Sequence, residues 1–184
     1  MLSQFSKEGD KPTLADLNFK FPKDVYPVGR LDHDSEGMLL LTNDKKLNHY
    51  LLNPKNKHWR TYWVQVDGAI TTEAIEQLKK GVVINLKGNK HNTLPAKARI
   101  IEEPELPERI PAIRYRKEIP TSWIEISLIE GKNRQVRRMT AAVGFPTLRL
   151  VRAKIETLEI GSLQPGCVKP DNQKDILKKL KVKL

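Results

Sequence analysis

Apolar positions along the 184-residue chain alternate in some stretches and recur every three or four residues in others, so strands and helices are mixed. Val25 to Leu31 and Met38 to Thr42 read as two strands joined by a charged turn. Asp44 to Leu52 reads as a short helix with Leu47, Leu51 and Leu52 on its inner side, ended by Asn53-Pro54. Arg60 to Val66 alternates as a strand, with Tyr62, Val64 and Val66 on one face. Thr72 to Lys80 is helical: Glu73 and Glu76 come early, two lysines come late and Gly81 follows, an order that suits the helix dipole. Pro95 to Ile101 and Ser122 to Ile129 are further strands, the second alternating Trp123, Glu125 and Ser127 against Ile124, Ile126 and Leu128. Val136, Met139, Thr140 and Val143 recur at helical spacing between Gly131 and Gly144, which predicts a helix from about Asn133 to Val143. Glu102 to Pro120 holds four prolines and reads as a long excursion, a kind of ordered loop that often carries function. The fold class is therefore α+β, a largely antiparallel mixed sheet flanked by helices, in one domain spanning residues 1–184.

Composition narrows the class. A hydrophobic fraction of 39% and a mean hydropathy of −0.52 describe a soluble globular protein. No apolar run approaches the roughly 20 residues that span a bilayer, and the opening MLSQFSKEGDK lacks the apolar core of a secretion signal. The single cysteine, Cys167, excludes an internal disulfide framework and fits a reducing, cytoplasmic setting. Charge says more. Thirty-three Lys and Arg against 22 Asp and Glu give a net +11. Between Arg114 and Lys154 there are ten basic residues and three acidic ones, and the tail KKLKVKL is basic too. Such clustering points to a polyanionic partner, most simply nucleic acid, although basic residues can also serve solubility alone.

Two charged constellations carry candidate chemistry. In GRLDHDSEGMLLLTND, four charged side chains (Arg30, Asp32, Asp34 and Glu36) precede a block of leucines that must be buried. They hold a metal ion, or form a solvated turn, or include one carboxylate with a task. Asp32 to Gly37 imitates the start of an EF-hand loop. Its twelfth position is however Asn43, where a bidentate Glu is required, and the flanks read as strands rather than helices. The four histidines are scattered and the cysteine is remote, so zinc has no ligand set; no metal site is expected. In EGKNRQVRRMTAAVG, Arg134, Arg137 and Arg138 gather in the first turns of the expected helix, against the dipole and beside like charges. An external anion or a buried carboxylate would neutralise them there.

These two motifs, together with RTYWVQVDG, resemble the pseudouridine synthases of the small-subunit-type (RsuA-like) family, and the likeness covers nearly the whole chain. The resemblance implies an RNA isomerase acting on a uridine of large-subunit (23S) ribosomal RNA, without metal or organic cofactor, as a monomer. It implies that Asp32, in G-R-L-D, is the nucleophile, and that Tyr62 stacks on the target uracil and takes the C5 proton late in the reaction. Arg137 would pair with Asp32. Arg30, Lys132, Asn133, Arg134, Gln135 and Arg138 would hold the RNA, while Asp34 and Glu36 would shape and solvate the turn. From its own neighbours alone, Tyr62 is equally a core tyrosine beside Val64 and Val66.

Two departures from the family pattern stand out. The chain has no room for a separate N-terminal RNA-binding domain, and it begins just after the point where family members have their first strand, with its N-K-P motif. A truncated, non-catalytic RNA-binding protein of the same fold is the alternative; product pseudouridine separates the two.

Overall fold

A computed structural model of the protein describes residues 1–113 and 120–182. Its strands are β1 (Tyr26–Pro27), β2 (Glu36–Gly37), β3 (Leu41–Thr42), β4 (Arg60–Asp67), β5 (Val83–Leu86), β6 (Asn89–Asn92), β7 (Lys97–Ile101), β8 (Thr121–Leu128), β9 (Thr147–Ile155) and β10 (Leu158–Glu159). The α-helices are α1 (Lys45–Leu52), α2 (Thr72–Lys80), α3 (Gln135–Ala142) and α4 (Gln173–Lys179). Among the described residues the main sheet has the order β10-β9-β4-β8-β7, and β2 joins it along β9. Every pairing in this sheet is antiparallel except that of β2 with β9. The expected α+β class with a largely antiparallel sheet is what the chain adopts.

Alternation explains why β4 and β8 lie at the centre. Val64, Val66, Ile124 and Ile126 are fully buried on one face, with Val64 opposite Ile124, Tyr62 opposite Ile126 and Val66 opposite Ser122. Ala74, Ile75 and Leu78 of α2 and Val136 and Met139 of α3 pack on this row to form the principal core. Each of the larger side chains contributes about 1.5–3 kcal/mol by leaving water. A second core joins Leu47 and Leu51 of α1 to Ile155, Leu158 and Leu180.

Several expectations need correction. Leu52 is 47% exposed: it follows Leu51 directly and so turns about 100° away from the buried stripe. The two strands expected around the charged turn shrink to the short pieces β1 and β3, which pair with each other, while Glu36–Gly37 leaves to join β9. Helix α3 starts at Gln135 rather than Asn133, because Arg134 occupies the N-cap in the left-handed region at φ 50°. Strand β9 was not among the predicted elements. It is buried on both faces and carries Arg149, Arg152 and Lys154, so its sequence does not alternate. The hairpin β5–β6 and helix α4 were not anticipated either. Of the proline-rich excursion, residues 114–119 lie outside the described residues.

Candidate functional site

The charged turn hangs from strand β9 by one close approach. Glu36 and Gly37 run parallel to Val151 and Arg152 of β9. A Cβ on Gly37 would fall 2.4 Å from both the main-chain N and O of Arg152, and its φ is +105°, so only glycine fits here. Directly upstream, the Ser35 N–H donates to the Asp32 carbonyl at 2.9 Å and closes the turn.

Helix α3 delivers two arginines onto this turn. Arg134 donates from Nη1 to Asp34 Oδ1 and from Nη2 to Asp34 Oδ2, both at 2.8 Å. The fork holds the Asp34 carboxyl below its ordinary range, chiefly through the Arg134 hydrogen bonds and with help from the Arg137 charge. Arg137 donates from Nη2 to the Asp34 carbonyl at 2.8 Å and to Ser35 Oγ at 3.4 Å, and lies 3.5 Å from Asp34 Oδ2. Its Nε is buried without a hydrogen-bond partner among the described residues. Burial lowers the Arg137 guanidinium from its ordinary value, while Asp34 and Asp32 pull the other way. The expected pairing of Arg137 with Asp32 is therefore not made here: its bonds go to the main chain and side chain of the next two turn residues.

Glu36 is likewise gripped, by Arg149 Nε and Nη2 at 2.9 Å each. Asp34 and Glu36 are thus ion-paired rather than merely solvated, which corrects the expectation for both. The carboxylate of Asp32 has no hydrogen bond or ion pair among the described residues, yet both Arg134 and Arg137 lie close enough to feel its charge. The EF-hand likeness loses its ligands by the same geometry, because two of its three carboxylates are held by guanidinium groups. Among the described residues no group of three or more His, Cys, Asp or Glu is placed to hold a metal ion.

Tyr62 is half-buried on the helix-covered face and packs against the principal core. Its cross-strand neighbour on β9 is Arg152, which is 4% exposed. Arg152 donates from Nε to the Met38 carbonyl at 2.7 Å, and its buried Nη2 has no hydrogen-bond partner among the described residues. Burial lowers its pKa, and the nearby Tyr62 phenol opposes this. The register Gly37–Arg152–Tyr62 runs across three strands and sets the tyrosine beside the root of the charged turn. Arg152 was missed by sequence reasoning, because an arginine inside an unrecognised strand gives no local signal.

The remaining expected residues divide. Arg30, Lys132, Asn133 and Arg134 are exposed. Gln135 is buried and its amide is occupied, accepting from the Lys132 N–H at 2.9 Å and donating to Glu130 Oε1 at 2.7 Å, so it shapes the loop rather than facing a ligand. Arg138 donates to the main-chain carbonyls of Asn85 (2.6 Å) and Asn133 (3.1 Å), which ties α3 to the β5–β6 hairpin.

Comparison with known proteins agrees with this geometry. Residues 4–142 match a family model described as RNA pseudouridylate synthase. The chain is 54% identical over 166 residues to ribosomal large subunit pseudouridine synthase E of Vibrio parahaemolyticus, covering 90% of this chain and 67% of that one. It is 47% identical over 177 residues to the protein of the same name in Xanthomonas campestris, covering 96% and 92%. A solved crystal structure described as pseudouridylate synthase superposes with a TM-score of 0.76 at 28% identity, covering 93% of this chain and 66% of that one. With the charged turn, the strand tyrosine and the arginine helix start all inside the matched stretch, the chain belongs to the RNA pseudouridylate synthase family, whose members are isomerases.

Proposed function

We propose that this protein converts a uridine of large-subunit ribosomal RNA into pseudouridine, with Asp32 as nucleophile. The substrate class follows the names of the relatives. The observation that carries the residue assignment is the division of labour in the turn: Asp34 and Glu36 are each forked by an arginine, and Asp32 is left with a free carboxylate among the described residues.

The reaction breaks the N1–C1′ bond, turns the base and joins C5 to C1′; C5 loses a proton and N1 ends protonated, so there is no redox change. A carboxylate can attack the base or the sugar, hold the intermediate and leave again, which requires no metal or organic cofactor. The target base must leave its helix to be reached, and the Tyr62 ring offers it a stacking surface. The Tyr62 phenol then takes the C5 proton. Arg137 keeps the turn rigid through the Asp34 carbonyl and supplies positive charge near Asp32. Arg30, Lys132 and Asn133 contact the RNA backbone around the flipped nucleotide. The enzyme works as a monomer in the cytoplasm, where its RNA substrate is assembled.

The test is Asp32→Asn, which keeps shape and removes charge. Pseudouridine formation on an unmodified large-subunit rRNA transcript should fall at least about 1000-fold, with RNA affinity within threefold of the parent. Activity within about tenfold of the parent overturns the assignment.

A further inference from the structure

One partly buried ionic cluster has no task in the reaction. Arg149, 9% exposed on β9, holds both oxygens of Glu36, and the same Nη2 donates to the Pro107 carbonyl at 2.8 Å. Pro107 belongs to the excursion that leaves β7. A second residue of that segment, Arg109, brings Nε within 3.4 Å of Glu36 Oε2 and donates from Nη1 to the Pro111 carbonyl at 3.0 Å. Glu36 Oε2 is thus shared by a guanidinium from the sheet and one from the excursion. It sits four residues after Asp32, at the point where the turn is pinned to β9.

Stability alone is a poor account of this cluster. A buried ion pair forfeits much of its attraction to desolvation, and apolar residues of similar volume often serve as well or better. A planar fork instead fixes direction as well as distance. The three contacts of Arg149 define the position of the Glu36 carboxylate relative to β9 and the position of Pro107 relative to both.

We infer that Arg149 is a positioning residue, holding the Asp32 turn through Glu36 and docking the excursion on that turn through Pro107, so that the two segments move as one body. This rests on the assignment of Asp32 as nucleophile. A turn displaced by even about 1 Å would miss the attack geometry and cost on the order of 100-fold in rate.

The experiment compares the parent chain with Arg149→Met and Glu36→Gln, using an unmodified large-subunit rRNA transcript. Single-turnover rate, RNA affinity and backbone amide exchange are measured for each. Both variants should lose about 10- to 100-fold in single-turnover rate with affinity within threefold. Exchange should rise together in residues 30–37 and 102–109. A rate within threefold of the parent in a folded variant overturns the inference, as does a rise in exchange confined to one of the two segments. Arg149 is deeply buried, so if Arg149→Met does not melt cooperatively, Glu36→Gln decides alone, its side chain being 27% exposed. An inactive parent would refute the proposed function instead, and the exchange measurement would still decide whether turn and excursion are coupled.

Discussion

Arg134 and Asp34 meet as a two-pronged ion pair, with both N–O distances 2.8 Å, across 100 residues of sequence. The pair joins the N-cap of α3 to the charged turn and resolves the puzzle of arginines at a helix start: an internal carboxylate neutralises them. Both side chains remain about 40% exposed, 41% and 38%, so water screens the attraction and its energetic contribution is modest.

This pair has a pH signature. The folded-state pKa of Asp34 is depressed below its unfolded value of about 3.9. Its stabilisation is therefore complete from about pH 5 upward and is lost as pH falls through the unfolded value toward the depressed one. Thermal melts of the parent and of Asp34→Asn from pH 7 to pH 2.5 should differ by a constant amount above about pH 5 and converge below pH 4. A difference that persists unchanged at pH 2.5 would show that Asp34 acts by shape and not by charge.

Arg137 and Lys132 should fail in opposite ways. Arg137 is mostly buried and bonded to the turn, with a side chain 12% exposed, so Arg137→Met should reduce single-turnover rate at least about 100-fold with little change in RNA affinity. Lys132 is exposed, so Lys132→Ala should weaken binding of all RNAs alike and reduce the salt dependence by about 0.7 in the log–log slope. Rates and affinities at two salt concentrations separate the two behaviours, and weak, salt-shifted binding by Arg137→Met would move it to the RNA contacts.

Gly37→Ala should be severe despite adding one methyl group. The new Cβ meets Arg152 main-chain atoms at 2.4 Å, and φ +105° is strained for any L-residue. A loss of about 3 kcal/mol or more in urea unfolding is expected, or else a shifted β2 with native stability and lost activity. A fully active, fully stable variant would mean that β2 does not need this close approach.

Tyr62 separates stacking from proton transfer. Tyr62→Phe keeps the ring and its packing on the principal core. RNA affinity should therefore stay near the parent while product formation slows at least about 100-fold; the melting temperature should fall, because the buried Arg152 loses the phenol that supports its charge. Tyr62→Ala should also lose about 1–3 kcal/mol of RNA affinity through lost stacking. Normal product formation by Tyr62→Phe would assign the C5 proton to another group.

Local periodicity determined much of this protein. The alternation of Arg60 to Val66, the capped helix from Thr72 to Lys80 and the apolar rhythm of Val136, Met139 and Thr140 each depend on residues within one or two turns of chain, so they were legible in the sequence. The motif around Asp32 and the arginines of α3 were legible too, because their charge density has no structural convenience to explain it. What the chain alone left open was partnership. Whether Arg137 holds Asp32 or the Asp34 carbonyl, and whether Arg149 is a surface charge or the anchor of Glu36, depend on which strand lies beside which. Strand β9 set those answers. It brings residues more than 100 positions apart into register with the turn, and its buried arginines mask the alternation by which a strand is recognised. Pairwise contacts at that separation are fixed by sheet order and burial, which exist only once the whole chain has folded.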